Sequence, residues 1–179
     1  MLYWPVLATL CVVISCTKED VKTQYTRQEE NIESFVNSTL SSIDTAYVVR
    51  NGGTSRVVTV YGEGDSLKIG GTVSFYYAGY VLSSSSLTTD NLFATNSEDV
   101  ATVSGWSVSG EEPFAVKTLN IGDKDIVDGL RYGLVGVKAG QECYILFSGK
   151  YGFGKRPLGT IPANAALAYH VWVESISNE

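Results

Sequence analysis

A single histidine, three cysteines and no excess of positive charge set the first limits on this 179-residue chain. Any Ser-His-Asp or Cys-His catalytic arrangement has to use His170. Alternation along "LAYHVWVESI" groups that residue with Trp172 and Glu174, opposite the expected core face, and no nucleophile elbow accompanies it. One His and so few Cys also leave a zinc site short of ligands. Thirteen Lys and Arg, scattered along the chain, face nineteen Asp and Glu, for a net charge of -6. No basic face for phosphate exists, and a nucleic-acid partner is excluded. "DKDIVDG" lacks the calcium-loop spacing: its third acid is one place late and Leu134 stands where a bidentate Glu is needed. "GKYGFGK" lacks the Gly-Lys-Ser/Thr ending and the following helix of a phosphate loop.

Long apolar runs are equally scarce. "MLYWPVLATLCVVISC" is too short for a typical membrane-spanning helix and reads as a signal-peptide core over 1–15. It ends in "VISC", and polar "TKED" follows. A short apolar run closing on a small residue and Cys resembles the lipobox of bacterial lipoproteins, and "CTKED" resembles the export signal of Bacteroidetes-type lipoproteins. The resemblance implies lipidation at Cys16, a membrane contact through that anchor, and an outer-membrane lipoprotein of the cell envelope, periplasmic or surface-exposed. A plain secretory signal with an incidental Cys is the alternative, because no Lys or Arg precedes the apolar run. With Cys11 removed and Cys16 acylated, Cys143 is left alone and no disulfide framework is expected. In "ECYILF" it reads as a small core residue rather than a nucleophile.

Hydrophobic residues at 44% and charged residues at 18% fit a globular chain, and the length suits one domain plus a short extra segment. Residues 16–25 read as a lipidated polar tether. Ile32, Phe35, Val36, Leu40 and Ile43 then recur at helical spacing, and Thr26 with Glu29 fits a capping box, so an N-terminal helix is expected over 26–44. From "TAYVVRNGGTSRVVTVYG" the period becomes two, with "NGG" as a hairpin turn. In "TVSFYYAG", Val73, Phe75 and Tyr77 share one strand face and Ser74, Tyr76 and Ala78 the other. Residues 83–113 read as a long irregular insertion, in which Phe93, Val103, Trp106 and Val108 pack down. "DGLRYGLVGVKAGQE" predicts a short helix with Leu130, Leu134 and Val137 on one face and Gly140 as its stop. "CYILFSG" and "LAYHVWVESI" are strands. Strands enclosing one short helix make an α+β domain over 45–179.

The stretch "IVDGLRYGLVGVKAGQECYILFSGKYGFG", then "IPANAAL" and "YHVWVESI", resembles the C-terminal half of FKBP-type peptidyl-prolyl cis-trans isomerases. "VSFYYAG" is similar to that family's "V-x-Y-x-G" strand. The resemblance covers about residues 60–177 outside the insertion. It implies a curved antiparallel sheet wrapped around one short helix, with an apolar pocket between them. By motif match the lining is Tyr77, Phe93 and Phe114, then Ile126 and Val127 before the helix, Leu130 as floor, Phe153 and Ile161 from the "YGFGKRPLGTIPANA" loop, and Tyr169 from the last strand. The backbone N–H of Val127 is the implied donor to a substrate carbonyl.

What the resemblance implies is a monomeric isomerase of X–Pro bonds that acts on proline-containing polypeptides and requires no cofactor or metal. Three residues depart from the pattern. Ala94 stands where the family commonly has Asp, Phe153 where it has a loop Tyr, and Leu130 where eukaryotic members have Trp. These departures point to weak isomerase activity and poor macrolide binding. The alternative is a catalytically degenerate lipoprotein of the same fold that binds a peptide or protein partner.

Overall fold

The computed structural model describes residues 18–107, 110 and 112–179. The signal segment over 1–15, Cys11, Cys16 and Val108 lie outside the described residues.

Helix α1 spans Lys18–Ser42. It therefore takes in most of the stretch expected to be a tether. Thr26 is no cap: its hydroxyl donates to the Lys22 carbonyl one turn back, inside the helix. The helix is long because the polar residues 18–25 are ordinary helix formers and its apolar stripe begins only at mid-length. Ile32 and Val36 are fully buried from that stripe, each contributing about 1.5–3 kcal/mol.

Strands β1 (Tyr47–Asn51) and β2 (Thr54–Val60) form the expected hairpin. Gly52 and Gly53 carry it at φ 58° and 83°, the left-handed geometry that a two-residue turn requires. Strand β3 spans Thr72–Val81, β4 Leu92–Thr95 and β5 Lys117–Asn120. Between β4 and β5 lies α2, Glu98–Ser104, capped by the Ser97 hydroxyl accepting from the Val100 N–H. After β5 come α3 (Asp128–Leu134), β6 (Glu142–Phe147) and β7 (Leu167–Ser177).

All seven strands pair antiparallel in one sheet, in the order β1-β2-β6-β7-β3-β4, with β5 also on β3. Strands β4 and β5 share the outer edge of β3 end to end: β4 pairs with 78–80 and β5 with 72–75. The segment read as an irregular insertion over 83–113 thus contributes a strand and a helix. Val103 does not pack down; it is 84% exposed.

Alternation divides the sheet into two faces. Val58, Cys143, Ile145, Phe147, Leu167, Tyr169, Val171 and Val173 point to the side covered by Leu130 and Leu134 of α3. Val57, Leu146, Ala166 and Ala168 point to the other side, covered by Ile32 and Val36 of α1. His170 lies on the α1 side as expected, stacked on Tyr144 at 4.1 Å and bonded to Glu142 at 2.7 Å. Cys143 is fully buried, and burial pushes its thiol up to about 12. It is a core residue.

The short helix ends earlier than its sequence pattern suggests. Val135 is the C-cap of α3, and Val137 is buried from the turn beyond it. Gly140 is not the stop signal. At φ 73° it leads into β6, its N–H donating to the Val173 carbonyl.

Candidate active site

The site forms where α3 meets the sheet. Two glycines set that approach. A Cβ on Gly129 would lie 2.2 Å from Cγ of Phe147, and one on Gly133 would lie 2.2 Å from Cγ2 of Ile145. The helix backbone therefore lies directly on the β6 side chains, and only glycine permits it. Side chains of β2 then hold the helix. The Thr54 hydroxyl donates to the Gly129 carbonyl at 3.0 Å. The buried Arg56 guanidinium donates to the carbonyls of Gly133 and Val135 at 2.8 and 2.7 Å, filling acceptors that the last helical turn leaves free.

An apolar chamber of about 140 Å³ opens beside this contact, lined by Phe75, Tyr77, Phe93, Lys117, Leu119, Leu130 and Tyr169. Its aromatic walls are mutually braced. Phe93 meets Tyr169 edge-on at 5.7 Å, and Phe147 stacks behind Tyr169 at 6.0 Å. Phe93 lies across β3 at Gly79, where a Cβ would come within 2.5 Å of the Phe93 ring. Burial pushes the Tyr77 and Tyr169 phenols up, and at Tyr169 the neighbouring Tyr77 adds to the effect. Both hydroxyls stay neutral at physiological pH.

A larger cavity of about 460 Å³ shares Lys117, Leu119, Leu130 and Tyr169 with this chamber and extends it past Ile126, Val127 and Phe153, with Asp123 and Asp125 among its lining residues. Val127 is the N-cap of α3, so its N–H has no carbonyl partner within the helix. Arg131 shapes the approach by donating to the carbonyls of Asp123 and Ile126 at 2.9 and 3.0 Å.

Of the residues expected at the site, Tyr77, Phe93, Leu130 and Tyr169 line the chamber, and Ile126, Val127 and Phe153 join Leu130 and Tyr169 in the adjoining cavity. Ile161 is 5% exposed within the same core cluster, behind the walls rather than on them. Phe114 lines neither cavity. The chain leaves the sheet edge after β4 and rejoins it only at Lys117, so Phe114 falls in the connecting excursion. Lys117 and Leu119 of β5 make that wall instead, and the sequence reading missed them because "KTLN" is too short to show a period. Phe75 was also missed, although its shared face with Tyr77 was visible. The edge is stitched by Asn96, another unforeseen residue. Its carbonyl accepts from the Tyr77 N–H at 2.7 Å and its amide donates to the Ala115 carbonyl at 2.9 Å, bridging the gap between β4 and β5. Among the described residues, no group of three His, Cys, Asp or Glu is placed to hold a metal ion.

Residues 64–174 match the family described as FKBP-type peptidyl-prolyl cis-trans isomerase. The chain belongs to that family. The FK506-binding protein 1 of Aspergillus oryzae is 26% identical to it over 119 residues, which is 66% of this chain and 94% of the relative. A peptidyl-prolyl cis-trans isomerase of Saccharomyces cerevisiae is 34% identical over 67 residues, 37% of this chain and only 16% of the yeast protein. Two solved structures share the fold. FkpA of Escherichia coli superposes with a TM-score of 0.56 at 16% identity, covering 89% of this chain and 64% of that one. The three-domain structure of wheat FKBP73 gives 0.57 at 15% identity, over 73% of this chain and 50% of that one. The FKBP-type chain thus spans about two thirds or less of three of these four relatives.

Proposed function

We propose that the chamber binds the prolyl ring of a polypeptide and speeds rotation about the preceding bond. The observation that carries this reading is the apolar chamber, with Val127, whose N–H has no partner within α3, lining the cavity beside it. An X–Pro bond turns slowly because resonance raises a barrier of about 18–20 kcal/mol, and uncatalysed exchange takes roughly 10–100 s. The planar amide separates more charge than the twisted one. Walls that exclude water therefore disfavour the planar form relative to the transition state, and the barrier falls. The phenols of Tyr77 and Tyr169, kept neutral by burial, add no charge to the aromatic walls. The Val127 N–H orients the substrate carbonyl. No nucleophile enters the step.

The clients of this reading are proline-containing polypeptides of the cell envelope, met by a monomeric lipoprotein anchored through Cys16. Turnover is low, because Phe153 brings no hydroxyl to the loop wall and Ala94 no carboxylate. Exchange measured on a proline tetrapeptide by NMR tests the activity. A rate equal to that in buffer rejects it. Incorporation of labelled fatty acid, lost in Cys16→Ser, tests the anchor, and its absence from the wild-type chain rejects it. A second reading, peptide capture without efficient turnover, is favoured by the chamber's small volume and by the cationic Lys117 on its wall. Saturable peptide binding with unaccelerated exchange is its signature.

A further inference from the structure

The loop between β6 and β7 supplies Phe153 to the cavity wall and Ile161 to the core behind it. Its two feet, Gly149 and Asn164, touch. A Cβ on Gly149 would sit 2.1 Å from the Asn164 carbonyl oxygen. Asn164 holds φ 56°, a left-handed conformation uncommon for a residue with a side chain. Inside the loop the Asn164 N–H donates to the Gly154 carbonyl, and a second hold on this closed base comes from outside the loop. The Gln28 side chain of α1 reaches both feet at once. Its Nε2 donates to the Asn164 carbonyl at 2.7 Å, and its Oε1 accepts from the Gly149 N–H at 2.9 Å. Tyr25, one turn earlier, donates its hydroxyl to Oδ1 of Asn164 at 3.0 Å. Gln28 is 8% exposed, and Ile32 and Val36, one and two turns further along, are buried against the sheet. The helix is thus fixed by its own apolar stripe and presents a single amide to the base of the loop.

We infer that Gln28 is a positioning residue for the peptide pocket, and that α1 acts as a fixed strut holding the loop wall in its binding geometry. The inference rests on the proposal that this pocket binds a prolyl peptide. Releasing the base lets the loop leave the closed form, and apparent affinity falls by the fraction of molecules that remain competent.

The test compares the full chain with Gln28→Ala, Gln28→Glu and Ile32→Val, the last trimming the packing of α1 while leaving the clamp intact. The readouts are steady-state isomerisation of a proline tetrapeptide, binding of the same peptide, and amide hydrogen exchange. For Gln28→Ala the expected results are a KM or Kd raised about tenfold, a kcat changed far less, and faster exchange over 149–164 with β6 and β7 unchanged. Gln28→Glu, which keeps an acceptor for Gly149 but loses the donor to Asn164, falls between. Ile32→Val leaves loop exchange and KM at the wild-type level. Loop exchange and peptide affinity in Gln28→Ala that match Ile32→Val overturn the inference. If the wild-type chain neither binds nor isomerises the peptide, the proposed function fails on its own, and loop exchange alone decides the clamp: acceleration upholds it and no change rejects it.

Discussion

Replacing Gly129 by Ala tests whether the pocket depends on the closeness of α3 to the sheet. The added methyl would lie 2.2 Å from Cγ of Phe147 and within 2.5 Å of both Cδ atoms. Carbon atoms in good contact stand about 3.5–4.0 Å apart, so helix and ring must separate by more than about 1 Å. The ring has no room to withdraw: Phe147 is fully buried and backed by Tyr169. Overpacking of this kind costs about 1–3 kcal/mol, while Ala gains at most about 1 kcal/mol over Gly in helix propensity. With that gain in full, the net expectation is a loss of up to about 2 kcal/mol in denaturant unfolding. The displaced segment carries Val127 and Leu130, so the pocket moves with it. A shift of that size lowers kcat/KM by roughly tenfold to a hundredfold, beyond what the folded fraction explains. A variant with wild-type stability and wild-type peptide exchange would refute the view that the Gly129–Phe147 contact sets the pocket.

Other expectations are open to direct measurement. Asn96→Ala leaves the Tyr77 N–H without its acceptor at the sheet edge and costs about 1–3 kcal/mol; hydrogen exchange then accelerates in β4 and β5 first. Desolvation holds the His170 pKa below its ordinary value despite the opposing bond to Glu142. The unfolded chain therefore binds the proton more readily, and stability rises as pH increases toward the ordinary imidazole range and levels off above it; His170→Gln flattens that slope, and an unchanged slope contradicts the assignment. Cys143, buried and with its thiol pushed up to about 12, reacts with iodoacetamide only at the rate of unfolding; rapid labelling in buffer would show that β6 opens locally. Phe93→Ala removes one wall of the chamber, costs less than the roughly 3–5 kcal/mol of a fully buried Phe because its ring is only partly buried, and lowers peptide exchange to the buffer rate.

The parts of the fold legible in the sequence were those whose apolar residues recur at one period. Ile32 and Val36 announced the docked face of α1, alternation announced β3 and β7, and the apolar run "CYILF" announced β6. The N-terminal limit of α1 was hidden because polar residues 18–25 pack too little to leave a pattern. Motif likeness located Leu130, Tyr169 and Phe153, whose neighbours in sequence are distinctive. It could not trace the excursion that separates Phe114 from the strand that finally rejoins the sheet, and Phe114 lines neither cavity.

Composition and periodicity by themselves determined an α+β chain with a buried strand pattern, since burial requires an apolar face that repeats with the backbone. Tertiary structure alone decided that Lys117 and Leu119 wall the chamber, that Asn96 closes the split edge, and that Gln28 reaches across 121 and 136 positions to both feet of the loop. Such contacts join residues far apart in the chain, and a hydrogen bond between distant partners leaves no period in either segment for a sequence to display.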